Sequence, residues 1–384
     1  MKIAHLANMY GPSSGGLRTT VDNLVDQYLV RGHQVLVIVP DHSSSVEEGN
    51  GKWVRIASPR LPLSGGYRVI TNLLRVRRHL MEFRPDLIEI SDRTSLLLLA
   101  PWARKQGIKV VLFAHERLSD VLDSFLSWFP WRASLIRRWN GWSADQVDHV
   151  IATTRFAALE FSDFCRVEIV PLGVDHRIFN LGCFGEAPSS SGTFKSKPST
   201  EYLFACTRLS PEKDPSLLLE VARELSARGV MLPLLIAGDG PLRSTLQERA
   251  KRERLNVSFL GFVHNKSEVA RYMAEAAIFL APGPIETFGL AALESLACGT
   301  PVICRSSGAI SEVIDEYSGV ALDGSASLWA DAVASMLSVD RSEIAQRCKS
   351  RATRFRWDTT ADQLLELYLP NTRTTSEVRE ISRT

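Results

Sequence analysis

Two carboxylates, Glu286 and Glu294, stand eight residues apart in the segment APGPIETFGLAALESLACGT, Ala281 to Thr300. Thr287 reads as a helix N-cap, and Gly289 leaves backbone N–H groups open to close approach. Leu290, Leu293 and Leu296 carry the helix on, until Gly299 and Pro301 stop it. The free amides of Phe288, Gly289 and Leu290, together with the positive end of the helix dipole, would attract a diphosphate. Glu286, just ahead of the helix, is placed to accept hydrogen bonds from hexose hydroxyls. Glu294 lies roughly 7–8 Å along the axis, at about 1.5 Å per residue, where a ribose fits. A ligand with hydroxyls at both ends and phosphates between them is a nucleotide diphosphate sugar. Read singly, each acid is as well a solvated surface residue. Ala291, Ala292, Leu293, Leu296 and Ala297 nevertheless make the helix apolar nearly all round, and a carboxylate buried there is costly unless bonded.

Opposite charges are available. Arg208 and Lys213 stand in CTRLSPEKD, directly after a strand-like run. Arginine can grip a diphosphate bidentately and lysine acts as a point charge. Both would stabilise the negative charge that grows on a departing phosphate. The alternative is surface pairing with Glu212 or Asp214. Gly238-Asp239-Gly240-Pro241 follows another strand and reads as a turn. Gly15 and Gly16 lie between the first strand and a helix beginning near Leu17, where glycine admits a phosphate; the dinucleotide pattern G-x-G-x-x-G is absent there. His115 closes VVLFAHE at a strand's carboxyl end, a cleft position.

Strands must carry these loops. Residues 2–7, 34–39, 87–90, 110–113, 149–152 and 168–170 read as strands, with helices near 18–31, 67–82, 94–106 and 155–163. A second alternating set has strands at 202–206, 234–237, 257–260, 278–281, 302–304 and 319–322, with helices between them. Between the two sets lies a small, polar, aperiodic stretch up to Thr200. The expected fold class is α/β: two doubly wound, Rossmann-like domains facing a central cleft.

Several of these pieces occur together in one family. The E-x7-E segment with its internal TFGL, the following GTPV at Gly299, SGAISEVI from Ser307, R-x4-K at Arg208 and PLGVD at Pro171 resemble the retaining glycosyltransferases of family 4, of the GT-B fold. The resemblance implies an acceptor-binding domain over residues 1–180, a linker at 181–200 and a nucleotide-sugar domain over 201–355. It also implies a helix at 356–370 returning to the first domain, with a tail at 371–384. Transfer would retain the anomeric configuration, the leaving phosphate helping to remove the acceptor proton. The resemblance makes Glu286, His115, Arg208 and Lys213 the catalytic set. Gly16, Gly238, Gly240, Phe288, Gly289, Leu290 and Glu294 would hold the donor, with Phe262 and Val263 near the base. Asp175 would orient the domain junction. No metal and no cofactor beyond the nucleotide-sugar donor are implied. ISDRTS from Ile90 and FAHER from Phe113 resemble more narrowly the PimC-like phosphatidylinositol mannoside mannosyltransferases, which implies GDP-mannose. A nucleotide-sugar epimerase of the same fold and a non-catalytic glycan or lipid binder remain alternatives.

Composition narrows the partners. The 384 residues carry a formal charge of +2, too little for a nucleic-acid field. Six scattered cysteines and eight histidines form no disulfide or metal spacing, which suits a cytoplasmic protein. Residues 67–84 (YRVITNLLRVRRHLMEFR) combine Arg68, Arg75, Arg77 and Arg78 with an apolar stripe, and a Trp-rich segment surrounds Trp128. Both suit an anionic membrane surface, and peripheral attachment to the inner face of the plasma membrane is expected. An ordinary helix with its arginines in water explains the first segment equally.

Overall fold

A computed structural model describes residues 1–11, 14–60, 67–114, 131–180, 182 and 201–369. His115, Trp128 and most of the 181–200 stretch lie outside these residues, as does the tail at 371–384.

Short apolar runs, many rich in valine, isoleucine and leucine, give two sheets. The first contains β1 (Lys2–Leu6), β2 (Gln34–Asp41), β3 (Ser45–Gly49), β4 (Gly51–Ala57), β5 (Leu87–Ile90), β6 (Lys109–Ala114), β7 (His149–Ala152) and β8 (Val167–Ile169). Their order is β3-β4-β2-β1-β5-β6-β7-β8, parallel throughout except for the β3–β4 hairpin. The second contains β9 (Leu203–Cys206), β10 (Leu234–Ala237), β11 (Val257–Gly261), β12 (Ile278–Ala281), β13 (Val302–Cys304) and β14 (Gly319–Ala321). It is wholly parallel in the order β11-β10-β9-β12-β13-β14. Strands of β2 type, VLVIVP, are buried on both faces because helices cover both sides of a parallel sheet. The period of two then splits the core. Ile3, Val35 and Val37 face one apolar cluster, whereas Ala4, Leu36 and Ile38 face another. Each sheet reverses its direction of growth once, between β1 and β5 and between β9 and β12, and ligands bind such sheets beyond the carboxyl ends of the strands there.

The C-terminal helix Trp357–Tyr368 packs on the helix Gly15–Val30 of the first sheet. Arg31 Nε meets Asp362 Oδ1 at 2.7 Å, Thr360 Oγ1 donates to Pro171 O at 2.7 Å, and Lys109 Nζ donates to Tyr368 O at 2.9 Å. Beneath it lies a wholly buried polar knot. Glu89 in β5 binds His5 Nδ1 at 2.8 Å and accepts from the hydroxyls of Tyr28, at 2.6 Å, and Tyr368. Burial alone would raise the Glu89 carboxyl, but these bonds to His5, Tyr28 and Tyr368 outweigh it and hold the group below its ordinary value.

Three local readings need correction. The helix expected over 67–82 begins only at Leu73, because the Asn72 side chain accepts from Arg75 N at 3.1 Å and caps it. Arg68 therefore stands off that helix, its Nη1 bonded to Ser58 O at 2.5 Å. The β3–β4 hairpin was not expected, since its exposed first strand shows no apolar period. The helix Arg132–Asp145 occupies the end of the Trp-rich segment. Among the described residues no helix is long and apolar enough to cross a membrane.

Candidate active site

The donor-side loop leaves β12 and enters the helix Leu290–Ala297. Its N-cap is Gly289, not Thr287 as the sequence suggested. Gly289 has φ +88°, which turns the chain off the helical path, so the helix starts only after it. A Cβ there would also fall 2.4 Å from Ile310 Cγ1. No side chain caps this helix, and its first turn carries no acid, so its leading amides remain suited to an anion. Phe288 is buried, edge-on to Phe355 at 5.9 Å.

Glu286 and Lys213 come together. Lys213, in the turn Pro211–Lys213 beyond β9, donates from Nζ to Glu286 Oε1 at 2.8 Å. The pair is half-buried, with side-chain exposures of 22% and 29%, so it is reachable by a ligand yet shielded enough to hold. Arg208 lies over the Tyr67 ring at 4.9 Å and donates to its hydroxyl. The surface pairing of these cations with Glu212 or Asp214 is not what forms. Glu212 accepts from Ser210 Oγ, and Asp214 pairs with Arg305. Both carboxylates are thus occupied, which leaves Lys213 to Glu286.

The 238–241 turn explains how Arg208 is aimed. A Cβ on Gly238 would lie 1.9 Å from Thr207 O, and one on Gly240 would lie 2.4 Å from Leu209 O. Glycine lets this turn lie flush against residues 207–209. Leu209 N donates to Asp239 O, and Thr207 N to Ala237 O, both at 3.0 Å. Gly16 belongs to the first turn of its helix, which starts at Gly15 rather than Leu17. A Cβ on Gly16 would stand 3.7 Å from Leu290 Cδ1, so Gly16 faces the start of the donor-side helix across the cleft.

Glu294 sits one turn further along. The residue is half-buried, and this burial pushes its carboxyl group up to about 7, only partly opposed by the charge of Lys266. No side-chain hydrogen bond holds it among the described residues. Its negative charge also adds to the burial that raises the thiol of Cys206, the last residue of β9, to about 12. Past β11, Phe262 is exposed and edge-on to His264 at 4.7 Å. Asp175 accepts from Arg177 Nε at 3.0 Å and Nη2 at 3.1 Å; burial works against the charge, but Arg177 holds the carboxyl below its usual range.

Residues not singled out in the sequence also reach this region. Thr153 and Thr154, just past β7, both donate to Thr287 O, at 2.8 and 2.9 Å. Glu312 accepts from the backbone amides of Arg155 and Phe156 at 2.9 and 2.7 Å. Tyr67 covers Arg208. The paired threonines at a strand's carboxyl end were the available signal; nothing in the sequence names their partner. Among the described residues no group of three His, Cys, Asp or Glu side chains could hold a metal ion.

The site therefore presents uncapped helix amides, two basic side chains at the end of β9, one carboxylate paired to a cation and one half-buried carboxylate with a raised pKa. Such a constellation can bind a diphosphate and two polyol ends. Comparison with known proteins agrees. Residues 14–177 match the model of Glycosyltransferase Family 4, and residues 191–355 that of the Glycosyl transferases group 1. A GDP-mannose-dependent alpha-(1-6)-phosphatidylinositol dimannoside mannosyltransferase from Mycobacterium tuberculosis is 37% identical over 371 residues, 95% of each chain. An alpha-monoglucosyldiacylglycerol synthase from Streptococcus pneumoniae is 25% identical, covering 82% of this chain and 74% of that relative. Among solved structures, sucrose-phosphate synthase from Thermosynechococcus elongatus superposes with a TM-score of 0.75 at 20% identity, covering 96% of this chain and 98% of that one. The fold is GT-B, and on the near full-length similarity to the mycobacterial enzyme the chain belongs to the family 4 glycosyltransferases.

Proposed function

We propose that this glycosyltransferase moves mannose from GDP-mannose to a lipid-linked acceptor with retention at the anomeric carbon. The observation that carries the reading is the Lys213–Glu286 pair at the mouth of the uncapped helix. A diphosphate entering that mouth takes Lys213 and Arg208 as its counter-charges. Glu286 is then released to accept hydrogen bonds from the hexose. The helix amides of Gly289 and Leu290 hold the phosphate from the other side, and Glu294 receives the ribose hydroxyls. The C1–O bond to the phosphate breaks as the acceptor oxygen bonds to C1, and the acceptor proton passes to the departing phosphate oxygen. The cations act mostly in the transition state, where that oxygen carries the most charge. The identity of the sugar and the lipid rests on the 37% identical mycobacterial relative, whose name specifies both.

A lipid acceptor requires a membrane-facing side. On the helix Leu73–Phe83, Leu74 and Met81 are exposed, and Arg75 and Arg78 share their face. Apolar side chains flanked by arginines suit an anionic bilayer surface, and Trp131 and Leu135 are exposed likewise. Arg77 contributes less, being stacked over Trp102 at 4.8 Å. The enzyme then works peripherally, on the cytoplasmic face.

The test is incubation of the purified chain with GDP-mannose and vesicles containing phosphatidylinositol mannosides, with Glu286→Gln as control. Transfer of mannose to the lipid by the natural chain, and its loss by several orders of magnitude in the variant, are expected. Conversion of the sugar nucleotide without acceptor would favour an epimerase. Vesicle binding with no turnover of any nucleotide sugar would favour a binding protein.

A further inference from the structure

The loop that bears Glu286 is held from the opposite domain. Thr287 O has two lone pairs, and the hydroxyls of Thr153 and Thr154 fill both, at 2.8 and 2.9 Å. Both threonines are buried, at 2% and 3% exposure, so water does not substitute for the carbonyl. Thr154 is used twice, since its oxygen also accepts from Ala157 N at 3.1 Å and caps the turn that follows. The next two residues continue the contact. The amides of Arg155 and Phe156 donate to the Glu312 carboxylate, at 2.9 and 2.7 Å. Glu312 and the donor loop are one unit, because Ala309 N donates to Glu286 O at 3.1 Å, and Ile310 fills the space that a side chain on Gly289 would take.

From this geometry we infer that Thr153–Phe156 form a clamp by which the acceptor-side domain sets the conformation of the donor loop, with Thr153 and Thr154 as positioning residues for transfer. Neither hydroxyl touches the reacting atoms. They fix the carbonyl between Glu286 and the amides of Phe288 and Gly289, so the carboxylate and the phosphate cradle are held in register by one anchored peptide. The consequence is a coupling between the halves of the enzyme. When the domains part, the four bonds open together and Glu286 loses its fixed relation to the cradle. When they meet, the donor site is completed only where the acceptor side is also in place. Such an arrangement favours transfer over idle hydrolysis of the donor.

The inference rests on the transferase reading above, and its test separates the two. Thr153→Val keeps the shape and removes a single hydroxyl whose one described bond is to Thr287 O. The Thr154 cap is untouched. The expected result is a kcat lowered about tenfold with a raised donor KM, since a small misplacement of reacting groups costs on that scale. The KM for the acceptor should stay near that of the natural chain, and the melting temperature should fall by no more than a few degrees. Thr153→Ser restores the hydroxyl and should restore turnover. Thr153→Val combined with Thr154→Val should lower kcat further. A Thr153→Val enzyme equal to the natural one in kcat and donor KM overturns the clamp, as does a loss that serine fails to rescue. A natural chain that transfers no hexose from any nucleotide sugar overturns the functional reading itself, and the clamp with it.

Discussion

Glu294 makes a measurable conflict between stability and binding. Its carboxyl ordinarily titrates at 4.5, and burial pushes it up to about 7 in the fold. A tenfold change in a proton equilibrium is worth about 1.4 kcal/mol, so keeping this group ionised costs the fold about 3 kcal/mol, an upper figure. The sign follows from proton counts. Between about 4.5 and about 7 the folded chain holds a proton that the unfolded chain has lost, so stability falls as pH rises through that window and levels off above it. Glu294→Gln is neutral throughout and does not fall. At pH 8 the variant should therefore melt above the natural chain by about 6–12 °C for a domain of this size, and the gap should close towards pH 4.5. Donor binding should show the opposite. Ribose hydroxyls donate to the ionised carboxylate and favour it, so near pH 6 binding releases a proton, visible by calorimetry in buffers of different ionisation heat. The glutamine variant should bind the nucleotide more weakly and release no proton. Melting curves of the two proteins that run parallel from pH 5 to pH 8 would refute the reasoning, because the raised carboxyl would then not exist.

Arg208→Ala and Lys213→Ala should each lower kcat by about 10²–10³, with smaller effects on acceptor KM, as steady-state kinetics would show; unchanged kcat in either would remove that cation from the transition state. Tyr368→Phe deletes one donor to buried Glu89 and should destabilise the chain by about 1–3 kcal/mol in denaturant unfolding, without changing GDP binding. Because Glu89 is held below its ordinary 4.5, the stability this knot contributes is present above that value and is lost as pH falls through the folded one, so acid unfolding should begin earlier in the variant. Arg75→Ala with Arg78→Ala should weaken sedimentation with anionic vesicles by about 2 kcal/mol, roughly 1 per arginine, while transfer to a water-soluble acceptor analogue continues at the natural rate.

Much of this was legible in the chain because its signals are local. β5 and β7 run over the residues their apolar patterns mark, and β12 and β13 do likewise. The position of Glu294 among alanines and leucines pointed to an acid in an apolar setting, and in the structure it is half-buried with its carboxyl raised. Boundaries were less legible where two start signals compete. Thr287 is a good N-cap by residue type, but its neighbour Gly289, at φ +88°, takes that place two residues later. The same competition moved a helix start from Tyr67 to Leu73, where Asn72 supplies the capping oxygen. The helix Arg132–Asp145 was hidden by its own composition, since tryptophan and arginine in one stretch read first as an interface.

What sequence withholds more deeply is the identity of backbone partners. Lys213 and Glu286 advertise themselves as a cation and an anion, and a charged pair seeks its complement. Thr153 and Thr154 advertise only hydroxyls, which bind any carbonyl in reach. Their partner, Thr287 O, is an atom that every residue possesses, so no residue type at position 287 records the contact. The same is true of the Arg155 and Phe156 amides that Glu312 receives. Side-chain chemistry thus marks where a donor can bind, while the alignment of the two domains depends on which main-chain atoms the hydroxyls and the Glu312 carboxylate meet. Substitutions that disturb this alignment need not fall on any charged or aromatic residue. A loss of transfer caused by one missing hydroxyl at Thr153 would be the direct sign that catalytic register in this enzyme is set from the domain opposite the one that carries Glu286.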